Sequence, residues 1–357
     1  MITVNTKSFA EAVKKASRFV GKKTTLPVIK EFLIRVKGNV GEVFSTNLEE
    51  YFITPFEASG DDVEFVFVES GLVVKALPFF GTTFTAEYDP KEEEVTLKSG
   101  SKTMVRDTLP AEEMPPFPFL KDTSITDLPF KAPEVLRVYK LISHSVGTND
   151  GRPILKTIFI KDGCAYATDG FEASVAPTSQ SGEILVPDEL CKHLDLFPFG
   201  SKISQSVQGY LVEGGGNRLL STIYFPFNAT YPDISKVVPS EKKEYDVNTF
   251  NRVELIDALK YLDGVSEKGV VIRTLKEGAL GAKSAQGDAS VDLSGIFGAK
   301  PVAFDGIRLA NILKQFNTET INIHIWAYNQ PIRIQSSGDT GYSMLMPMTY
   351  NFKEEVQ

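Results

Sequence analysis

The strongest constraint in this 357-residue chain is that it is written three times. The segments "ESGLVVKALPFFG", "PDELCKHLDLFPFG" and "DGIRLANILKQFN" resemble one another, and aligning Leu72, Leu190 and Leu309 gives separations of 118 and 119 residues. Phe80-Gly81 and Phe199-Gly200 keep the same spacing, so each unit fills a third of the chain. A period this long marks a domain-sized repeat, not a short-period solenoid.

Other elements recur at the same interval. Each unit opens on an amphipathic segment: "SFAEAVKKASRFV", "APEVLRVYKLISHSV" and "FNRVELIDALKYLDGVSE". In the first, Phe9, Val13, Ala16 and Val20 recur at helical spacing, which predicts one buried stripe with the lysines outside it. Paired strands follow, with Lys37-Gly38-Asn39, Lys161-Asp162-Gly163 and Lys276-Glu277-Gly278 offering tight-hairpin chemistry. The proline-bearing stretches "TLPAEEMPPFPFLKD" and "FNATYPDISKVVPSEKK" read as boundaries, because proline cannot donate to a sheet. The expected fold is α+β, with helices on one face of antiparallel sheets, in domains spanning 1–121, 122–241 and 242–357.

Charge is uneven. From Lys7 to Lys23 the chain carries six cations and Glu11, a net of +5, so the remainder holds −13 of the total of −8. Such a basic run is either a solvated helix face or a local seat for phosphates. Cys164 and Cys191 form no CxxC, which argues against a thiolate metal site. No long apolar run and no apolar leader core are visible, so the expected location is cytoplasmic.

Catalytic signatures are thin. "VGKKTT" resembles the end of a phosphate-binding loop, but Ala16 stands where its first glycine belongs. Gly214, Gly215 and Gly216 precede no helix and read as a hairpin tip. His144, His193 and His324 are scattered, and the adjacent pairs Glu49-Glu50 and Glu112-Glu113 read as solvated charge. The expectation is a non-catalytic binding scaffold with no cofactor. A β-rich enzyme with unrecognised catalytic carboxylates is the alternative from another class.

The basic first helix, "TTLPVIKEFLI", "STNLEE", "YATDGFEAS", "YPDISKVVP" and the terminal "YSMLMPMTY", in this order, resemble the beta sliding clamp family of bacterial DNA polymerase III. That resemblance implies a clamp domain in three copies and a head-to-tail homodimeric ring around duplex DNA. Cations would touch phosphates without reading bases. On this reading the DNA-facing residues are Lys14, Lys15, Arg18, Lys22 and Lys23, with Thr148, Asn149 and Arg152 in the second copy. The third opening helix does not fit a uniformly basic lining, since Arg252 to Lys268 holds three positive and four negative residues.

The resemblance also implies a pocket for short motifs of a replicative polymerase, a clamp loader and other partners. Its expected lining is Leu155, Thr168, Gly170, Phe171, Glu172, Ala173, Pro232, Lys236, Val237, Met344, Leu345, Met346, Pro347 and Met348. Methionine suits such a surface because it is flexible and polarizable. Three departures stand out. Phe171-Glu172-Ala173 replaces the family's usual His-Arg-Leu, Lys236 replaces an arginine, and residues 351–357 extend past the Met-Pro-Met ending as an expected disordered tail. An altered pocket leaves open a clamp-like decoy or inhibitor, for example virus-encoded.

Overall fold

The computed structural model describes residues 1–118, 126–206, 209–222, 230–239, 244–265, 271–274, 279–284, 287–293, 295–296, 300, 302–336 and 341–349. In the first repeat these form β1 (Ile2–Asn5), α1 (Thr6–Ala16), β2 (Leu33–Lys37), β3 (Val40–Thr46), β4 (Glu50–Gly60), β5 (Val63–Phe67), α2 (Ser70–Ala76), β6 (Thr83–Asp89), β7 (Glu94–Ser99) and β8 (Lys102–Leu109). The second gives β9 (Thr126–Lys131), α3 (Ala132–Ile142), β10 (Thr157–Lys161), β11 (Cys164–Thr168), β12 (Glu172–Pro177), β13 (Glu183–Pro187), α4 (Asp188–Cys191), β14 (Lys202–Ser206), β15 (Gly209–Gly214) and β16 (Asn217–Ser221). The third gives β17 (Asp246–Asn251), α5 (Arg252–Gly264), β18 (Val271–Thr274), β19 (Ala279–Ser284), β20 (Gly287–Asp292), β21 (Gly295–Ile296), β22 (Ala303–Asp305), α6 (Gly306–Leu313), β23 (Thr320–Ile325), β24 (Ile332–Ser336) and β25 (Tyr342–Leu345).

The chain is α+β, and every strand pairing described is antiparallel. One pairing scheme occurs three times: the opening strand joins the strand after the second helix, as in β1–β6, β9–β14 and β17–β23. Three consecutive strands meander, as β2–β3–β4, β10–β11–β12 and β18–β19–β20 do, and the first of each pairs with β5, β13 or β22. A second meander closes each copy, in β6–β7–β8, β14–β15–β16 and β23–β24–β25.

Hydrogen bonding does not stop at the repeat boundaries. β4 pairs with β16 of the next copy, and β12 pairs with β25 of the next. The chain consequently divides into two compact units, residues 1–133 with 193–225 and residues 134–192 with 226–357, and the division cuts the second repeat. The proline-bearing stretch after β8 is no free linker either. Met114 and Phe117 are buried in the core of the first unit with Ile29, Phe44, Tyr51 and Leu220.

Local chemistry explains the elements. Asn5 caps α1 by accepting from Ser8 N at 3.0 Å, and Lys14 and Lys15 sit in the last turn, where the helix dipole favours cations. α1 stops at Ala16, short of Val20, so Phe19 is the buried residue, stacked on Phe52 at 4.5 Å. Gly38 and Asn39 have φ of 54° and 69°, and Asp162 and Gly163 have 50° and 76°, the left-handed pair a tight hairpin demands. The third expected hairpin, Lys276-Glu277-Gly278, lies outside the described residues. Gly215 and Gly216 form the β15–β16 tip as expected. Glu50 overturns an expectation: it is buried, with a carboxylate oxygen 3.3 Å from His193 Nε2.

Candidate functional site

The second unit carries an apolar cleft of about 200 Å³ built around the β11–β12 hairpin. Thr168 stands opposite Ala173, and four residues turn the chain between them. Thr168 Oγ1 donates to the Glu172 carbonyl at 2.6 Å, while Asp169 Oδ1 accepts from Phe171 N at 2.8 Å and Glu172 N at 2.9 Å. Side chains thus hold the turn from within, the local competition that makes Thr and Asp turn formers. Gly170 has φ of +94°, and a Cβ there would lie 3.3 Å from Arg152 Nη1. The turn raises Phe171, 63% exposed, onto the rim.

Ala173 and Glu172 pair with Met344 and Leu345 of β25, and Met346 N donates to the Phe171 carbonyl at 2.9 Å. Buried Leu155, Thr168, Ala173 and Met344 form the floor. Pro232, Ile234, Val237 and Pro331 complete the wall. Phe171 and Met346 also face a second cleft, lined by Asp305, Arg308, Leu345, Pro347, Met348 and Thr349.

The same hairpin turn exists in the first unit, where Tyr51 fills the place beside it and the neighbouring cleft is displaced toward Leu33, Ile53 and Met114. Thr46 Oγ1 donates to the Glu50 carbonyl at 2.8 Å, and Asn47 Oδ1 accepts from Glu49 N and Glu50 N at 3.0 and 2.7 Å. Leu48 takes the place of Gly170 at φ of 75°. Pro27–Lys30 (PVIK) and Pro153–Lys156 (PILK) are matching 3-10 turns, and the Ile29 and Leu155 carbonyls accept from Gly21 N and Gly147 N at 2.8 Å each. Tyr51 stands where Ala173 does, its ring 6.2 Å from Phe117 and 6.4 Å from Phe44.

Glu172 dominates the electrostatics of the cleft. Burial, reinforced by Asp169, raises its carboxyl to about 7, against the opposing pull of Arg308 and the Ser145 hydroxyl. Arg308 Nη1 lies 2.5 Å from Asp169 and 3.5 Å from Glu172, with the guanidinium 5.2 Å from the centre of the Phe171 ring. Behind the floor, Ser174 Oγ joins Ser145 Oγ, Ser343 Oγ and His144 Nε2 at 2.8, 2.7 and 3.0 Å. Burial pushes His144 down to about 4, so it is neutral at pH 7.

Ten expected pocket residues meet in the first cleft: Leu155, Thr168, Gly170, Phe171, Glu172, Ala173, Pro232, Val237, Met344 and Met346. Leu345, Pro347 and Met348 fall in the adjoining one. Lys236 lines neither; its Nζ lies 3.6 Å from Oδ2 of Asp233, which lines the first. Arg152, expected to face DNA, lines the first cleft. Sequence reading missed Arg308 and Pro331, which lie more than a hundred residues from the hairpin they approach. The Asp169–Glu172 turn itself was legible in "ATDGFE".

The expected DNA-facing groups are surface residues. Lys14, Lys22 and Lys23 are exposed, as are Thr148 and Asn149, while Lys15 and Arg18 are half-buried. Arg18 Nη1 is 2.8 Å from Asp195 Oδ2, which offsets part of its charge. Among the described residues, no cluster of His, Cys, Asp and Glu is placed to hold a metal, and no helix is long and apolar enough to cross a membrane.

Comparison of the whole chain with solved structures is decisive for the fold. A DNA polymerase sliding clamp from Caulobacter crescentus superposes with a TM-score of 0.84 over 98% of this chain and 99% of that one, at 15% identity. The chain has the beta sliding-clamp fold. The DNA polymerase III beta chain of Streptococcus pneumoniae gives the same score, identity and coverage. A DnaN sliding clamp from Pseudomonas aeruginosa, solved bound to griselimycin, gives 0.81 at 16% identity over 98% and 99% of the two chains. No protein-family model and no curated protein sequence matches the chain. The fold is shared with these structures although only 15–16% of the residues are identical.

Proposed function

We propose that this protein is a DNA sliding clamp: a homodimeric ring that encircles duplex DNA and tethers a replicative polymerase, a clamp loader and other partners by short motifs held in the second unit's cleft. The observation that carries this reading is the rule joining successive repeats. The last strand of the first meander pairs with the last strand of the following copy, in β4–β16 and again in β12–β25. Applied once more, the rule leaves β20 to find β8 of a second copy. Among the described residues β20 pairs with β19 alone, and Lys102–Arg106 of β8 pair with β7 alone. Leu72, Phe79 and Val105 stand exposed in the repeat that holds β8, as do Val253, Tyr261 and Val265 in the repeat that holds β20. An unpaired strand edge flanked by apolar side chains is a template for another chain.

In this role the protein is non-catalytic, and three clamp domains, 1–121, 122–241 and 242–357, supply the ring. Exposed Lys14, Lys22 and Lys23 lie on and after α1, giving sequence-independent attraction to phosphates. Sedimentation and retention on nicked circular DNA test the proposal together. The expected particle has twice the chain mass of 39.4 kDa, stays on the circle and slides off when the circle is cut. A monomer that binds circle and linear DNA alike overturns it.

A further inference from the structure

Glu172 is a carboxylate set into an apolar floor. Its residue is 4% exposed, yet it lines the cleft beside Leu155, Ala173 and Met344. The nearest cation is shared: Arg308 contacts Asp169 more closely than Glu172, and its Nε lies 3.7 Å from Asp305. Three carboxylates therefore draw on one guanidinium. The other elements around the site add little. Arg152 also lines the cleft, with Nη1 beside Gly170 and outside ion-pair distance of Glu172, Asp233 is engaged by Ser235 and Lys236, the turn after α3 offers the neutral Ser145 hydroxyl, and His144 behind Ser174 is neutral. An anion in such a place is under-compensated, and covering it with an apolar group removes what water it retains.

We propose that Glu172 determines what this cleft accepts: an uncharged, apolar anchor closing over a protonated carboxyl, with acidic side chains refused beside it. The inference rests on the peptide-cleft reading and narrows its partner class to motifs without a carboxylate over the Phe171-Glu172-Ala173 turn. Binding then takes up a proton wherever the free carboxyl is ionised. The carboxyl sits near 7 in the open cleft. Affinity is therefore flat at lower pH and falls above neutrality by up to about tenfold per pH unit.

The test titrates the full chain by calorimetry with a blocked, uncharged pentapeptide of serine carrying one leucine and one phenylalanine as apolar anchors, acetyl-Ser-Leu-Ser-Phe-Ser-amide, at pH 6 and 8.5, in two buffers of different ionisation enthalpy. A second set of peptides carries Glu at each position in turn. Wild type is expected to bind at least fivefold more weakly at pH 8.5, with net proton uptake, and to lose at least tenfold more affinity when Glu is placed at one inner position. Glu172→Gln is expected to abolish the pH dependence and shrink the penalty for Glu. Proton uptake by wild type alone is a readout that needs no variant. Affinity that changes less than twofold with pH, that rises with pH, or whose pH dependence persists in Glu172→Gln overturns the proposal while leaving the cleft reading intact. No binding at pH 6, or equal binding by Leu155→Ala and Met346→Ala, overturns the cleft reading itself, and this proposal with it.

Discussion

Tyr51 and Ala173 hold one position in two copies of the same ladder. Tyr51 stands opposite Thr46 and Leu220, and Ala173 stands opposite Thr168 and Met344. A phenol ring fills the first junction, packed by Phe44 and Phe117, whereas a methyl leaves the second open. The turn's hydrogen bonds are shared, and the side chain at this ladder position is one of the differences between the filled junction and the cleft.

Ala173→Tyr should close the cleft. The ring fits the ladder, as Tyr51 demonstrates, so the fold should survive with a melting temperature within a few degrees of wild type. Peptide affinity should fall at least tenfold, read by fluorescence anisotropy of a labelled probe, while retention on circular DNA stays unchanged.

The reverse change should cost stability instead of creating a site. Tyr51→Ala removes a ring from the packed core of the first unit. Large-to-small core changes of this kind cost about 3 kcal/mol or more, because the surroundings collapse only partly. Urea unfolding should show a lower midpoint for the first unit, and the variant should not gain affinity for the peptide.

The Glu172 carboxyl has a sign that can be worked out. Its folded value of about 7 lies above the ordinary 4.5, so the folded state holds the proton more tightly. The associated stability is present below pH 4.5 and is lost as pH rises toward 7. Glu172→Gln should therefore match wild type at pH 4 and exceed it at pH 8, by about 3 kcal/mol, in urea unfolding free energies.

Glu134 runs the other way. Arg137, followed by Thr178 and the Ser179 amide, holds its carboxyl down at about 2 against burial. Its contribution is present above pH 4.5 and is lost as pH falls toward 2. Because its side chain keeps some solvent access, Glu134→Gln should cost about 1 kcal/mol at pH 7 and nothing near pH 2.

On DNA, the structure separates cations that the sequence treats alike. Lys22 and Lys23 are exposed, whereas Arg18 is paired with Asp195. Lys22→Ala with Lys23→Ala should weaken retention on circular DNA and lower the salt slope by about 2, since each phosphate contact contributes about 0.9. Arg18→Ala should change the slope by less than either lysine.

Much of this was legible in advance, for local reasons. The repeat, the hairpin turns "KGN" and "KDG" and the turn-forming "ATDGFE" are chemistry written within a few residues. What stayed hidden depends on residues far apart in sequence. Nothing local shows that Glu50 is buried against His193, that Arg308 reaches the Asp169 turn, or that sheets run on through the repeat boundaries. Those facts depend on which strand edges meet. The duplicated turn carried a further clue: Tyr in one copy and Ala in the other is a volume difference that sequence alone can expose once the copies are aligned.

The proposed joining of β8 and β20, whose outer edges are unpaired among the described residues, has a consequence for growth. A contact between two different surfaces of identical chains contains no stop of its own, because each added copy offers a fresh acceptor. Only the rotation accumulated from one junction to the next decides whether the last edge meets the first or misses it and extends a fibre. The hydrogen-bonded β4–β16 and β12–β25 junctions thus set more than the interior of each unit. In the proposed ring, a change that altered the twist there by a few degrees, far from either joining edge, would turn a closed particle into a polymer.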